Sequence, residues 1–266
     1  MVKIDVITYC SNYSYDIFDR FIGSLNATGF QGNIYIIINE IDKPIIKKLK
    51  KIYKNLFPVI DNILKKTHIN CHRFFCIDLL LQKYQLNCDY LFICDSRDVL
   101  FQKNMENYNY DLNVDIYGFL EGKTIEEEQT FNARWIKHIG QLINENIYDK
   151  VCKKNIICCG TTLGKYDKMK LYVKEICNYI QKYNIVTNLD QGLHNYILYC
   201  NTLNINIKLL SNEDNLVNTV CNDVHKVNGE NLIVNKNDDV SYIVHQYDRF
   251  SIDLKNQISS RFKYFL

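Results

Sequence analysis

The stretch Asp95-Ser96-Arg97-Asp98 sets two carboxylates and a guanidinium directly after a fully apolar run, Tyr90-Leu91-Phe92-Ile93-Cys94. Carboxylates gathered at one point must face something positive, and a divalent cation bridging a diphosphate is the commonest candidate. Hard oxygen ligands suit Mg²⁺ or Mn²⁺, and such an ion works as a Lewis acid where negative charge builds on a leaving oxygen. A plainer reading stands beside this one: Asp95 caps a turn, and Arg97 and Asp98 form a surface pair. Three more polar groups sit at the end of an apolar run or the start of a helical pattern: Gly160-Thr161-Thr162, Asp190-Gln191 and His245. Taken singly, Gly160 serves a tight turn, Asp190 an N-cap, and His245 is a hydrogen-bonded core histidine. Their shared position at element ends is what joins them. His68, Cys71, His72 and Cys76 lie at near-helical spacing that matches no standard closed zinc site.

These groups need a frame. Residues 3–9 read as a buried strand, 15–25 as an amphipathic helix and 33–39 as a second strand. Asp42 as N-cap and Pro44 in the first turn open another helix. Residues 69–86 form a long helix leading into the acidic-turn strand. The order β-α-β-α-(β)-α-β predicts a parallel sheet covered by helices, with ligands beyond the carboxyl ends of its strands. Later strands are expected over 114–120 and 155–159, the latter turned by Gly160 to Gly164. A helical stretch holds the lone tryptophan, Trp135, read as core and not as a ligand platform. Helices follow to about residue 183 and from about 188, then short strands over 205–210, 216–220, 232–234 and 241–244. With no internal repeat and no domain boundary, the expectation is one α/β domain over residues 1–266, its sheet mixed but mostly parallel. Residues 1–102 resemble a nucleotide-binding half, and 103–266 make up the second half.

Composition removes several classes. The chain has 266 residues, 47% hydrophobic and 23% charged, as in ordinary globular proteins. Its formal net charge of +2 gives no global electrostatic case for nucleic acid. Neither G-x-G-x-x-G nor G-x-x-x-x-G-K-[ST] occurs, which disfavours dinucleotide and P-loop sites. The 11 cysteines are odd in number and sit in apolar runs, so buried free thiols in a reducing compartment are expected. No run approaches the ~20 apolar residues of a membrane span, and the opening residues are too short and charged for a signal peptide. A cytoplasmic protein is the expectation.

The order DSRDVLFQ, FNARWI, ICCGTTLG, DQGLHNYIL and VHQYDRF resembles a family of GT-A-fold glycosyltransferases that use nucleotide sugars and hold a metal with a variant Asp-x-Asp motif. The resemblance spans nearly the whole chain, and the DSRDVLFQ and HQYDR segments are specific as a pair. It implies that Asp95 and Asp98 contact the nucleotide ribose and the metal, with His245 completing the coordination. Asp190 and Gln191 would face the donor sugar and the reaction centre. Gly160 with Thr161 would form the turn where backbone approaches the sugar or the acceptor. Arg73 would lie near the nucleotide, or else be an exposed helix residue; Thr8, Tyr9 and Asn12 would occupy the base-binding position. The family's second carboxylate position holds Arg97 here, with Asp98 next, which leaves open which aspartate touches the metal directly. Arg97 would stabilise the leaving charge or, the favoured reading, pair with Asp190 or Asp98.

The implied activity moves a sugar from a nucleoside-diphosphate sugar, UDP-linked by expectation, to a glycan, protein or small-molecule acceptor, with Mn²⁺ or Mg²⁺. An imidazole ligand favours Mn²⁺. Competing readings are a non-catalytic nucleotide-sugar or carbohydrate-binding module of the same fold, and a nucleotidyltransferase. The latter would carry a glycine-rich basic loop where Cys10-Ser11-Asn12-Tyr13-Ser14 stands. A haloacid-dehalogenase-type phosphatase would need an aspartate in place of Arg97.

Overall fold

The computed structural model describes residues 2–220, 226–249, 251–253 and 256. Strands β1 (Ile4–Tyr9), β2 (Ile34–Ile38), β3 (Leu56–Ile60) and β4 (Tyr90–Cys94) lie parallel in the order β3-β2-β1-β4. The sheet continues through β7 (Asn155–Lys165), β6 (Ile116–Thr124) and β8 (Ile207–Leu210), and β7 alone runs against the rest. It is the mixed, mostly parallel sheet expected from the element order. On β4, Tyr90, Phe92 and Cys94 enter one core while Leu91 and Ile93 enter the other. Both faces are covered, which is why the strand is apolar at every position. Helices α1 (Tyr15–Ala27) and α2 (Lys43–Ile52) contribute to the first core. The second holds side chains of α3 (Ile69–Lys83), α4 (Asn132–Ile143), α5 (Ile147–Val151), α6 (Tyr166–Lys182) and α7 (Asp190–Cys200).

Several boundaries differ from the sequence reading. α3 stops at Lys83, short of residue 86, and β6 runs from Ile116 to Thr124 where 114–120 was expected. Asp42 precedes α2 without capping it. Its carboxylate instead accepts from the Ser11 hydroxyl at 2.9 Å and from the Asn12 and Asn39 N–H groups at 3.1 Å, fixing the loop after β1. The main correction concerns Gly160 to Gly164, which make no turn. β7 is continuous there, because Thr161, Thr162, Leu163 and Gly164 pair with Cys94, Ile93, Phe92 and Leu91 of β4. Left-handed backbone falls mostly to asparagine: Asn144 and Asn201 close α4 and α7 at φ 58° and 46°. Asparagine tolerates that region better than other side chains, so a chain with 10 glycines still ends its helices cleanly.

A smaller sheet joins β5 (Val99–Phe101), β12 (Ile243–His245) and β9 (Val217–Thr219). β12 runs antiparallel to β5, with His245 opposite Val99. A hairpin joins β10 (Lys226–Val227) to β11 (Ile233–Val234), and the Gln102 side chain ties it to this sheet, accepting from the Ile233 N–H at 2.8 Å and donating to the Ile233 carbonyl at 2.9 Å.

One irregularity positions α7. Between Gly118 and Leu120 of β6, the partner on β7 jumps from Thr162 to Ile157, so the intervening β7 backbone has no β6 ladder. Such a bulge leaves donors and acceptors to satisfy. Asn195 accepts from the Ile157 N–H at 2.9 Å and donates to the Ile157 carbonyl at 2.8 Å, and Gln191 accepts from the Cys159 N–H at 2.7 Å. Asn195→Ala removes a buried partner from two backbone groups. It is expected to lower stability by roughly 2–4 kcal/mol, read from urea unfolding; a change within experimental scatter would refute this role.

His194, on the buried side of the same helix, has Nδ1 2.6 Å from the Tyr172 hydroxyl. Burial, reinforced by the Arg73 charge, pulls its pKa down to about 3 from 6.5. The imidazole stays neutral in the fold while the unfolded chain takes a proton below pH 6.5. Stability should therefore be full above that pH and decline towards pH 3, with a slope approaching about 1.4 kcal/mol per pH unit. His194→Gln should flatten this part of the stability–pH curve; an unchanged slope would show that other groups set it.

Candidate active site

The acidic turn begins where β4 ends. The Asp95 N–H donates to the Gly160 carbonyl at 2.8 Å, so Asp95 is still held by the main sheet. The chain then turns through Ser96 and Arg97 into β5 of the small sheet. Because β12 pairs with β5, His245 arrives beside Asp98, and the Gln246 N–H closes on the Asp98 carbonyl at 2.7 Å. Gln246 adopts φ 65°, a region costly for a residue with a Cβ and one found repeatedly at functional sites. The acidic turn and the late histidine thus share one location.

His245 Nε2 lies 3.8 Å from an oxygen of Asp95 and 3.8 Å from one of Asp98. These separations exceed hydrogen-bond reach, and Nε2 is buried without a hydrogen-bond partner. An unpaired imidazole nitrogen facing two carboxylates fits a divalent cation among the three. Nδ1 of the same ring lies 3.5 Å from the Cys158 Sγ. Burial alone would lower the His245 pKa, but Asp95 and Asp98 outweigh it and raise it. Burial lifts the Asp98 carboxyl against the pull of His245. For Asp95, burial is overcome by Arg73 and His245, which hold the carboxyl well below its ordinary range.

Arg73 occupies the centre. It projects from α3, is largely buried, and pairs with Asp95 through Nη1 and with Asp190 through Nη2 at 3.0 Å. The exposed-helix alternative for this residue is overturned. Asp190 is the first residue of α7, and burial raises its pKa against the attraction of Arg73. The neighbouring Gln191 amide is anchored to β7, with Nε2 donating to the Ile157 carbonyl at 3.1 Å.

Two adjoining chambers meet at Asp95 and Arg73. One, of 460 Å³, is lined by Gly160, Asp190, Gln191 and His245 and reaches out to Trp135. The other, of 390 Å³, is lined by Tyr9, Ser11, Tyr13, Arg97 and Asp98. Gly160 is needed for space: a Cβ there would stand 2.4 Å from His245 Cε1 and 2.7 Å from an Asp95 carboxylate oxygen.

Other sequence-derived residues fall elsewhere. Thr8 is fully buried inside β1, opposite Cys94, and lines neither chamber. Thr161 is likewise buried within β7. Asn12 is exposed and serves the loop at φ 62°, while its neighbours Ser11 and Tyr13 line the second chamber. Tyr9 does line that chamber, with its hydroxyl donating to Asp61 at 2.8 Å. Arg97 pairs with Asp248 at 2.9 Å, stands 3.9 Å from Asp98, and makes no pair with Asp190, which Arg73 holds instead. Trp135 is half-buried: it packs against the second core, as expected, and also lines the first chamber. The His68–Cys76 cluster divides: His72 bonds Asp61 at 2.8 Å and lies 3.4 Å from the Cys76 Sγ, whereas His68 caps α3 and Cys71 donates to the Thr187 carbonyl. The cysteines among the described residues are all free thiols.

Sequence reading missed Glu121, a buried β6 carboxylate on the first chamber wall whose pKa burial raises, and Asp61 beneath Tyr9. Neither stands in a motif; only the strand pairing brings them in.

No protein-family model matches the chain, and no curated protein sequence matches it. Solved structures do. The galactosyltransferase LgtC, crystallised with donor and acceptor sugar analogs, superposes with a TM-score of 0.62 at 13% identity, covering 98% of this chain and 94% of that one. The fold is GT-A. Mouse xyloside xylosyltransferase 1 gives a TM-score of 0.55 at 13% identity, covering 95% of this chain and 100% of its own. An inositol-1-phosphate CTP transferase from T. maritima gives 0.52 at 11% identity, covering 99% and 98%. At these identities the likeness concerns the fold alone.

Gly160→Ala is expected to displace the His245 ring and to cost about 1–3 kcal/mol through overpacking. The His245 Cε1 proton resonance should shift as well. An unmoved resonance with unchanged stability would mean the strand yields freely at this point.

Proposed function

We propose that the protein is a metal-dependent glycosyltransferase acting on a nucleoside-diphosphate sugar, with UDP as the favoured nucleotide. The observation that carries this reading is the convergence of Asp95, Asp98 and His245 where two chambers meet, on a fold shared with sugar transferases. Asp95, Asp98 and His245 would hold Mn²⁺ or Mg²⁺. When bound, that ion offsets the charge developing on the departing diphosphate. In the reaction the bond from the anomeric carbon to the phosphate oxygen breaks and its electrons leave with the nucleoside diphosphate, while an acceptor hydroxyl oxygen takes the carbon and gives up its proton to the departing diphosphate.

The chain's own residues have distinct tasks in this scheme. The half comprising residues 1–102 supplies Tyr9, Ser11 and Tyr13, an open wall for the nucleoside, and Arg73, whose charge keeps Asp95 ionised. The half from 103 to 266 supplies Gly160, Asp190 and Gln191 along the chamber where sugar and acceptor would meet. Arg97, tethered to Asp248 beside Asp98, adds positive charge near the diphosphate. We further propose a cytoplasmic setting, consistent with the absence of any described helix long and apolar enough to cross a membrane.

Nucleotidyl transfer is the second reading, favoured by the similarity to the CTP transferase. Against it, residues 10–14 offer neither glycines nor basic side chains for a triphosphate.

The test incubates the protein with a panel of nucleotide sugars and follows release of nucleoside diphosphate. Release should require Mn²⁺ or Mg²⁺. Asp98→Ala and His245→Ala should reduce it to background while circular dichroism stays unchanged. Full turnover in excess EDTA would sink the metal-dependent reading, and release of pyrophosphate from a nucleoside triphosphate would select the second one.

A further inference from the structure

The outer part of the first chamber has a character that donor and cation leave unexplained. Phe131 and Trp135 lie one helical turn apart at the start of α4 and both line it. Their ring centroids are 5.5 Å apart with a 33° tilt, which makes a two-ring apolar surface. Phe131 is 56% exposed, so its ring is not there to fill a core.

The platform is held by hydrogen bonds and by close packing. The Glu128 carboxylate accepts from the N–H groups of Thr130, Phe131 and Asn132 at 3.1, 3.0 and 2.6 Å, fixing the start of α4. Behind it α7 packs so closely that a Cβ on Gly192 would lie 3.0 Å from the Trp135 Cβ. The helix carrying Asp190 and Gln191 therefore also backs the aromatic pair.

The rest of this outer wall is polar: Glu121, Lys123, Glu128 and Asn132. An aromatic floor beside a rim of donors and acceptors matches a sugar ring, which has a face of C–H groups and an edge of hydroxyls. The C–H groups meet the negative faces of the aromatic rings, and the hydroxyls meet the rim. A wholly apolar molecule would cover that rim without supplying hydrogen bonds. We infer that Phe131 and Trp135 form the acceptor subsite, and that the acceptor is a saccharide whose terminal ring stacks on them. This rests on the glycosyltransferase reading and narrows its acceptor from three classes to one.

Trp135 is the one tryptophan in the chain, so its emission reports on this chamber. Titration with the methyl glycosides of glucose, galactose, mannose and xylose should give a saturable change in emission with at least one of them. Phe131→Ala should weaken that binding roughly 3- to 10-fold, Phe131→Tyr should restore it, and calorimetric affinity for UDP with Mn²⁺ should be unaffected by either. An emission unchanged across the panel, with UDP and Mn²⁺ still bound, overturns the subsite and leaves the proposed activity standing. Glycoside binding indifferent to Phe131→Ala overturns it as well. If UDP and Mn²⁺ fail to bind the unaltered protein, the proposed activity falls, while the glycoside titration still decides the platform.

Discussion

The site depends on one buried cation. Arg73 binds the carboxylate that ends β4 and the carboxylate that starts α7, and these come from opposite halves of the chain. Two carboxylates brought this close inside a protein repel one another and lose hydration, a penalty met only by a well-placed counter-charge. Guanidinium suits the task because its planar fork can serve two acids at once and does not give up its proton. With Arg73 in place, Asp95 remains ionised beside His245 and Asp98, and α7 can approach β7 closely enough for Gln191 and Asn195 to complete the interrupted ladder. The electrostatic arrangement and the backbone arrangement reinforce each other.

The parts of this architecture that repeat with a fixed period were legible in the sequence. β4 announced itself as an unbroken apolar run because both its faces are covered, and α1 through its hydrophobic stripe. The Asp95–Asp98 turn was legible because polar groups after such a strand are conspicuous. His245 could be joined to them only through a resemblance, since no local pattern specifies that β12 pairs with β5.

Other residues take their role from contacts distant in sequence. Glycine permits turns, yet Gly160 instead makes room for an imidazole arriving from another element. Thr8 and Thr161, placed at the site by the resemblance, are fully buried within β1 and β7. Trp135 packs against the core as large aromatics usually do, and only the location of the chamber adds its second role as a wall residue. Glu121 and Asp61 gave no local signal at all. In each case tertiary contacts fixed the meaning of a residue whose neighbours in sequence were silent.

The β5–β12 pairing also carries a temporal consequence. Residues 95 to 98 leave the ribosome long before residue 245, and until then His245 is missing from the trio. Contacts so distant along the chain form late in folding. Under the proposed metal-dependent function, the three ligands would come together only at the end of folding, and a half-synthesised or misassembled chain would hold cations more weakly than the finished one.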